Sequence, residues 1–275
     1  MCHFEGDPKM AAMAKNAAIG QVKATDRDQG ENGKITYRLM AGIGSELFCI
    51  NTDGSIYVVM NDNDIMDKEK NDRISLIVEA TDGGSPPLKD IGSVTIILTD
   101  VNDNPPVFNF PEYTGFVTED DQDPLEDQQV FLERAMTVTD ADKSSKNNNH
   151  RFSIHGPGSE LFSINPKTGA MSVKTPGTID CETSTLYEFS VVATDRKGTG
   201  LSGNATILIY VDDVNEYAPR FPSRYSFTLA ANTPVGHVFG KLVAEDYDIT
   251  QQNKHVTYLL TGGGGNKFAI DYETG

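Results

Sequence analysis

The chain has 275 residues, room for roughly two domains, and its formal net charge is −17. This acidic balance excludes a general nucleic-acid binder, which needs a basic face, and argues against docking on an anionic membrane surface. With 38% hydrophobic residues the chain can bury a core, so global disorder is not expected.

The predicted elements are short strands in every part of the chain. β-Branched or alternating runs are separated by turns rich in Gly, Pro and Asn, and no stretch sustains a 3.6-residue period. The nearest approach to a helix is "MAAMAKNAA", which begins at Met10. In chain order, the strand runs are "LFCI" from Leu47, "SVTIILTDV" from Ser93, "YEFSVVATD" from Tyr187, "NATILIYVDDV" from Asn204 and "YSFTLAAN" from Tyr225. The predicted class is all-β, an antiparallel sandwich of about seven strands per unit.

The cysteines and the termini give little further guidance. Cys2, Cys49 and Cys181 are far apart and form no CxxC pair, which predicts neither a disulfide framework nor a zinc site. Within its strand, Cys49 is interpreted as a small buried apolar residue. No run reaches the length of a membrane span and no signal-peptide core is present, so the sequence predicts either a soluble protein or a fragment.

The chain repeats itself. "TDVNDNPPVF" from Thr99 returns about 110 residues later as "DDVNEYAPRF" from Asp212. "ATDRDQGENGKITY" from Ala24 returns as "VTDADKSSKNNNHRF" from Val138 and as "AEDYDITQQNKHVTY" from Ala244. We therefore predict a first repeat at residues 1–104 with an atypical start, a second at 105–217 and a partial, truncated third at 218–275.

Carboxylates are concentrated at the ends of the predicted strands. Each repeat carries an Asp-x-Asp early, an Asp-x-Glu midway, an "ATD" after a later strand and an Asx cluster at its end, as far as the repeat extends. Ca²⁺ takes 6–8 oxygen ligands of these types, whereas zinc and redox metals prefer the His and Cys partners that these sets lack. A lone Asp-x-Asp is best read as an exposed turn, but recurrence in register favours a cation-binding set.

Taken together, "DVNDNPPVF", "DRD", "DKE" and "EATD" at this period resemble the extracellular repeat of the cadherin superfamily. The resemblance covers nearly the whole chain. It implies tandem Greek-key, immunoglobulin-like, seven-stranded β-sandwich repeats, with Ca²⁺ at each junction stiffening a rod used in calcium-dependent cell–cell adhesion. It further implies a glycoprotein on the extracellular side of the plasma membrane, anchored through segments outside this chain. The implied partner is another cadherin ectodomain on an apposed or the same cell, most simply a homophilic one.

The resemblance also implies a ligand set at the first junction. The upstream residues are Asp67, Glu69, Val101 through its carbonyl, Asn102, Asp103 and Asn104, and the downstream residues are Asp140, Asp142, Asn147 and Asp195. The early Glu of the family falls at Lys15, which cannot ligate, so this junction is expected to hold its outer ions weakly unless Glu5 substitutes.

At the second junction the implied upstream residues are Glu119, Asp180, Glu182, Val214 through its carbonyl, Asn215, Glu216 and Tyr217, and the downstream residues are Asp246, Asp248 and Asn253. Glu216 replaces the usual Asp, and Tyr217 replaces the second Asn. The first repeat carries downstream ligands of its own, Asp26, Asp28, Asn32 and Asp82, which hint at another repeat in the full protein.

Two rival functions remain open. One is a signalling or planar-polarity cadherin with a heterophilic partner. The other is a metal-dependent enzyme that uses Asp-x-Asp, although none of the five histidines lies in a catalytic motif and "TGGGGNK" lacks a P-loop ending. We therefore predict a non-enzyme with no small-molecule substrate. "NAT" at Asn204 is a glycosylation sequon.

Overall fold

A computed structural model describes residues 18–59, 64–119, 128–263 and 267–275. The chain divides into two compact units. Of the described residues, the first unit holds 18–59, 64–104 and 141–149, and the second unit holds the remainder.

The first unit contains two three-stranded antiparallel sheets, with strand orders β1-β4-β3 and β2-β5-β6. Its strands are β1 (Gly20–Gln21), β2 (Thr36–Leu39), β3 (Phe48–Ile50), β4 (Ser55–Val58), β5 (Arg73–Thr81) and β6 (Lys89–Ile97). Short 3-10 helices span Gly30–Gly33 and Ser45–Leu47.

The core of the first unit follows from the alternation along its strands. On β5, the side chains of Ile74, Leu76 and Val78 point inward and are at most 5% exposed, because every second residue of a strand faces the same side. They pack in one cluster with Phe48 and Ile50 of β3. The two sheets therefore enclose a shared apolar core.

The second unit is built around a larger set of strands. These are β7 (Val107–Phe108), β8 (Glu112–Thr118), β9 (Gln129–Leu132), β10 (Val138–Thr139), β11 (Arg151–His155), β12 (Phe162–Ile164), β13 (Met171–Val173), β14 (Leu186–Thr194) and β15 (Ser202–Asp212). Seven of them pair in the order β11-β14-β15-β8-β9-β13-β12, and β10 pairs with β7. A 3-10 helix spans Ser159–Leu161, and a short helical turn spans Asp195–Gly198.

Strand β9 joins the two layers of this sandwich. Its residues Phe131 and Leu132 pair with β8, while Gln129 and Val130 pair with β13. Side chains from both layers meet in one core, in which Ile207 of β15 has no exposed surface. Strands that change layer at a bend are one way to close a β-sandwich.

The first linker, the stretch "TDVNDNPPVF" from Thr99, approaches β15 closely at Gly203. A Cβ atom added to Gly203 of β15 would lie 1.9 Å from the backbone oxygen of Pro106. Because glycine has no Cβ, β15 can lie directly against the backbone of Pro106 in this linker.

The strand predictions have mixed outcomes. Those for the runs from Leu47, Ser93, Tyr187 and Asn204 are confirmed by β3, β6, β14 and β15. The strand predicted from Tyr225 is wrong. Among the described residues after Asp212 there is only an isolated bridge between Arg220 and Glu245, and without a ladder partner an alternating run gains no strand hydrogen bonds.

The interpretation of Cys49 needs a correction. Its side chain is buried, as expected, but it is disulfide-bonded rather than a free apolar residue, whereas Cys181 is free and buried. The helix-like segment from Met10 lies outside the described residues except for its last residue, Ala18. None of the helices in the described ranges is long and apolar enough to cross a membrane.

Candidate metal-binding sites

The first acidic cluster lies in the first unit. Carboxylate oxygens of Glu69, Asp103 and Asp142 all lie within 4.8 Å of one another. The Asp-x-Glu turn that carries Glu69 is shaped by Asp67, whose Oδ1 accepts hydrogen bonds from the backbone N–H groups of Glu69 (2.8 Å) and Lys70 (3.2 Å). Such an Asx turn directs the neighbouring glutamate toward the linker.

Glu69 is held in an unfavourable environment for a negative charge. Its Oε1 is buried, and no hydrogen-bond donor among the described residues reaches it. Burial and then the nearby carboxylates of Asp100 and Asp103 raise the pKa of Glu69. A cation at this cluster would relieve both effects.

The linker residue before the first proline contacts the second Asp of the downstream Asp-x-Asp motif. The Asn104 backbone N–H and Nδ2 donate to Asp142 Oδ1 at 3.3 and 2.9 Å, and Nδ2 also donates to Asp103 Oδ1 at 2.8 Å. In the second copy of the linker the Tyr217 backbone N–H donates to Asp248 Oδ1 at 3.2 Å. The change from Asn to Tyr therefore keeps the backbone contact and loses the side-chain one.

The second cluster lies in the second unit and consists of Glu119, Glu182 and Asp213, whose oxygens also lie within 4.8 Å of one another. Glu119 is only 2% exposed. Its two carboxylate oxygens accept hydrogen bonds from the backbone N–H groups of Cys181 and Val214, each at 2.6 Å. The residue thus ties the end of β8 to the Asp-x-Glu turn and to the linker.

Glu182 is the least satisfied carboxylate of this cluster. Both of its oxygens are buried, and no donor in the described part of the chain reaches either one. Burial, and then the like charges of Glu119 and Asp180, raise the pKa of Glu182 to about 7. Asp180 itself is engaged in its own turn, where its Oδ2 accepts a 2.8 Å hydrogen bond from Thr183 Oγ1.

The remaining downstream carboxylates are buried, as at Asp195 and Asp248, or half-buried, as at Asp140 and Asp246. Within the second unit, Asp140 and Asp195 bring oxygens within 4.8 Å of each other, and Asp195 Oδ1 accepts the Leu201 backbone N–H at 2.9 Å. Asp248 is 2% exposed, and no donor among the described residues reaches its Oδ2. Asp246 Oδ1 accepts the Asp248 backbone N–H at 3.1 Å.

Other predicted ligands are not gathered in this way. Asp26, Asp28 and Asn32 are exposed, and no acidic group of three found in the described ranges includes them or Asp82. Among the linker residues, Asn102 is half-buried, while Val101, Asn215 and Glu216 are exposed and Val214 donates its N–H to Glu119. Lys15 and Glu5 lie outside the described residues. The ligand role of every residue in the two sets stays a prediction.

Sequence reasoning missed two carboxylates, Asp100 and Asp213. They precede the predicted linker ligands, and each accepts hydrogen bonds from a loop far along the chain. Asn147 and Asn253, predicted as ligands, use their amide nitrogens for these contacts. The repeat alignment was the available signal, because Asp stands at the same place in both copies of the linker motif.

These observations define a class of protein: β-sandwich units in tandem, with partly buried, oxygen-only acidic clusters where strands end and linkers begin. Comparison with known proteins then gives the family. The family model "Cadherin domain" matches residues 12–99 and 126–212. The chain belongs to the cadherin superfamily and is built of its extracellular repeats.

Relatives and solved structures agree with this assignment. The chain is 34% identical to human Protocadherin Fat 1, over 96% of this chain and 6% of that protein, and 35% identical to mouse Protocadherin Fat 4, over 92% and 5%. It is 31% identical to the Drosophila melanogaster "Protocadherin-like wing polarity protein stan", over 97% and 8%. The chain therefore spans only a small part of these relatives.

Among solved structures, mouse Cadherin-23 EC22-24 superimposes with a TM-score of 0.72 at 29% identity, covering 94% of this chain and 79% of that one. The Protocadherin gammaB7 EC3-6 cis-dimer structure gives 0.69 at 25% identity, covering 95% and 64%. These comparisons support an adhesion or signalling cadherin ectodomain. Cadherins are adhesion-type rather than enzymatic proteins, and their repeats generally bind Ca²⁺.

Proposed function

We propose that the acidic clusters of this chain bind Ca²⁺ and that the chain serves calcium-dependent cell–cell adhesion as part of a cadherin ectodomain. The observation that carries the proposal is Glu182, whose two buried oxygens have no donor among the described residues and face like charges. A buried carboxylate group costs free energy unless it is paired or coordinates a metal. The residues of the cluster fit a hard cation, because every atom that could ligate it is a carboxylate oxygen.

In this proposal each residue has a stated task. Glu69 Oε1 and both oxygens of Glu182 have no hydrogen-bond donor among the described residues and are free to face an ion. Glu119 is held in place by two backbone N–H groups, and Asp142 and Asp248 present buried carboxylates from Asp-x-Asp motifs. The ion supplies the positive charge that offsets their mutual repulsion. Its binding free energy then restricts the flexing of the linkers, which stiffens the ectodomain.

The direct test is a thermal-unfolding series on the 275-residue chain in chelator, Ca²⁺ and Mg²⁺. We expect Ca²⁺ to raise the midpoint temperature by several degrees and Mg²⁺ to do so less, since Mg²⁺ keeps more of its water. Glu182→Gln should reduce the calcium response. Glu160→Gln is the matched control, because Glu160 is exposed and its side chain makes no hydrogen bond or ion pair with the described residues. An unchanged midpoint at millimolar-range Ca²⁺ would refute the proposal.

For the whole protein we propose a location on the extracellular side of the plasma membrane, with anchoring through segments outside these 275 residues. The proposed partner is another cadherin ectodomain, bound homophilically. A related structure described as a cis-dimer supports ectodomain pairing in the family. Beads coated with the ectodomain should aggregate in Ca²⁺ and disperse in chelator, and the absence of aggregation at any calcium level would contradict homophilic adhesion.

A second candidate is a signalling or planar-polarity role with a heterophilic partner. It is supported by the similarity to a protein named for wing polarity. The two candidates differ in one outcome of the bead assay. If beads coated with this ectodomain aggregate only when they are mixed with beads that carry a different cadherin ectodomain, the heterophilic role is favoured.

A further inference from the structure

A row of apolar side chains crosses four neighbouring strands of the second unit, on the face of the sheet turned away from its core. Tyr210 of β15 pairs with Leu186 of β14 on one side and with Phe116 of β8 on the other. Phe116 pairs in turn with Phe131 of β9. The rings of Phe116 and Tyr210 are stacked, with centroids 5.8 Å apart. These four residues are called the apolar row.

The apolar row is open to solvent. Phe131 is 69% exposed, Tyr210 41% and Leu186 38%, while Phe116 is half-buried between its neighbours. Cross-strand pairing explains why the four side chains touch, but it does not explain the apolar surface left in water. Contiguous apolar patches, unlike scattered apolar residues, are a mark of binding surfaces.

The glycosylation sequon lies on the same face of the same strand. Asn204 is exposed on β15 and precedes Tyr210 by six residues. Because side chains alternate along a strand, an even separation places both residues on one face, roughly 20 Å apart at about 3.3 Å per residue. An N-linked core oligosaccharide on Asn204 can span this distance.

The surface between Asn204 and the apolar row suits a sugar chain. Thr206 and Leu208 follow Asn204 on this face of β15, and both are half-buried. The residues paired with them on β14 and β8 are all polar: Ser190, Glu188, Glu112 and Thr114. Hydroxyl and carboxylate oxygens accept hydrogen bonds from sugar hydroxyls, so the path offers polar contacts before the apolar row is reached.

The first unit has neither feature at the matching places. Alignment of the two copies of the linker motif places Ile91 where the second unit has Asn204, and Ile97 where it has Tyr210. The ladder partner of Ile97 is Arg73, a charged residue. The sequon and the aromatic rings therefore occur together, in one unit and on one face.

The size of the apolar row favours a sugar chain over a protein partner. Its exposed surface is roughly 300 Å², on a scale of about 150–250 Å² for a whole aromatic side chain, whereas a stable protein interface takes roughly 800 Å² from each partner. The C–H groups of a sugar ring can pack on the negative face of an aromatic ring. A glycan tethered to Asn204 also has a high effective concentration at the row.

We propose that the glycan of Asn204 lies along the outer face of β15 and rests on the apolar row, with Tyr210, Phe116 and Phe131 as its aromatic seat. The glycan then covers apolar surface that otherwise faces water, and it stabilises the second unit. It also keeps this face of the sheet from serving as a protein interface. The inference rests on the proposed extracellular location, because N-linked sugar is a modification of secreted chains.

Release of the glycan from the folded chain is the first test. The 275-residue chain is secreted from animal cells and treated with an amidase without denaturant. Tyr210→Thr and Phe131→Thr should each speed release of the glycan about two- to tenfold, as expected when one aromatic contact is lost. Ile97→Thr, at the place in the first unit that matches Tyr210, is the control and should leave the rate unchanged.

Thermal unfolding gives an independent readout. Tyr210→Thr is compared in two backgrounds, the glycosylated chain and Asn204→Gln. The substitution should lower the midpoint temperature by roughly 2–4 °C more in the glycosylated chain, whereas a purely structural role of Tyr210 would give the same shift in both backgrounds. If Tyr210→Thr is not secreted, Phe131→Thr replaces it, since Phe131 is the most exposed residue of the row.

The proposal is overturned if the secreted chain carries no glycan at Asn204, or if the release rate and the midpoint shift do not depend on the apolar row. It is equally overturned if Tyr210→Thr abolishes bead aggregation and leaves glycan release unchanged, because the row is then a protein interface. These outcomes leave the calcium response of the acidic clusters untouched. A chain with a seated glycan and no response to Ca²⁺ upholds this inference and refutes the calcium function, so the two failures are distinguishable.

Discussion

Glu182 gives the sharpest quantitative prediction. In the folded chain without divalent cations its pKa is raised to about 7, from an ordinary value of 4.5, chiefly by burial. Between these two pH values the folded chain holds a proton that the unfolded chain releases. The stability that goes with a protonated Glu182 in the folded chain is therefore fully present below pH 4.5 and is lost as the pH rises through 7.

The magnitude follows from this pKa difference. At about 1.4 kcal/mol per pH unit, the native chain should lose at most about 3 kcal/mol of stability relative to a variant with a neutral residue at this position. The value is an upper limit, since part of the side chain remains solvated. Glu182→Gln is that variant, because glutamine has nearly the shape of the protonated acid.

The assay is urea unfolding followed by tyrosine fluorescence, at pH 4.5, 6 and 8, in excess chelator. We expect the native chain and Glu182→Gln to diverge with rising pH, the variant becoming the more stable at pH 8. In Ca²⁺ the order should reverse, because the variant has lost a ligand. Glu160→Gln should follow the native curve. Parallel curves for the native chain and Glu182→Gln in chelator would refute the reasoning.

Three further substitutions test other parts of the structure. Lys70→Thr removes the 3.1 Å ion pair between Lys70 and Asp67 Oδ2, and it introduces the residue that stands at the corresponding position of the second repeat, Thr183. The calcium affinity measured by calorimetry should rise by up to about fivefold, whereas Lys89→Thr, the control, should leave it unchanged. Gly203→Ala should lower the free energy of unfolding by about 1–3 kcal/mol through the clash with Pro106, measured by urea unfolding against Gly20→Ala, whose added Cβ meets nothing within 4 Å. Asn204 is exposed on β15, so chain secreted from animal cells should carry an amidase-sensitive glycan, absent in Asn204→Gln and kept in Thr206→Ser; an unshifted native chain would contradict this.

The sequence was sufficient for the fold class and for the places where acids collect. Strands such as β6 and β15 follow directly from β-branched runs. The acids of the Asp-x-Glu and Asp-x-Asp motifs lie at the ends of predicted strands, and this placement does not depend on how the strands pair. The strand predicted from Tyr225 failed because strand formation depends on a ladder partner, which an alternating pattern cannot supply. The disulfide of Cys49 was missed because the spacing of cysteines in the sequence does not tell which of them lie close together in the folded chain.

Within the sites, sequence identified the residue types but not how each carboxylate is satisfied. Glu119 and Glu182 are both glutamates of one cluster, yet the first accepts two backbone N–H groups and the second has no donor among the described residues. This difference arises from where β8, the Asp-x-Glu turn and the linker converge. Spacing along the chain records none of this convergence, so the raised pKa of Glu182 follows only from the folded structure.

The loops that donate hydrogen bonds to Asp100 and Asp213 give a physical reason why corresponding Asp-x-Asp motifs differ in burial. Asp142 and Asp248 are each 2% exposed. Each is followed by a turn whose backbone N–H groups donate to a linker carboxylate, from Ser144 to Asp100 and from Thr250 to Asp213. Asp28 is followed instead by a 3-10 helix at Gly30–Gly33, to which no linker carboxylate is hydrogen-bonded among the described residues, and Asp28 is exposed. Fastening a turn to the linker therefore accompanies withdrawal of the adjacent carboxylate from water. That withdrawal raises the free-energy cost of its charge, and a bound cation offsets this cost more strongly than it would at an exposed Asp.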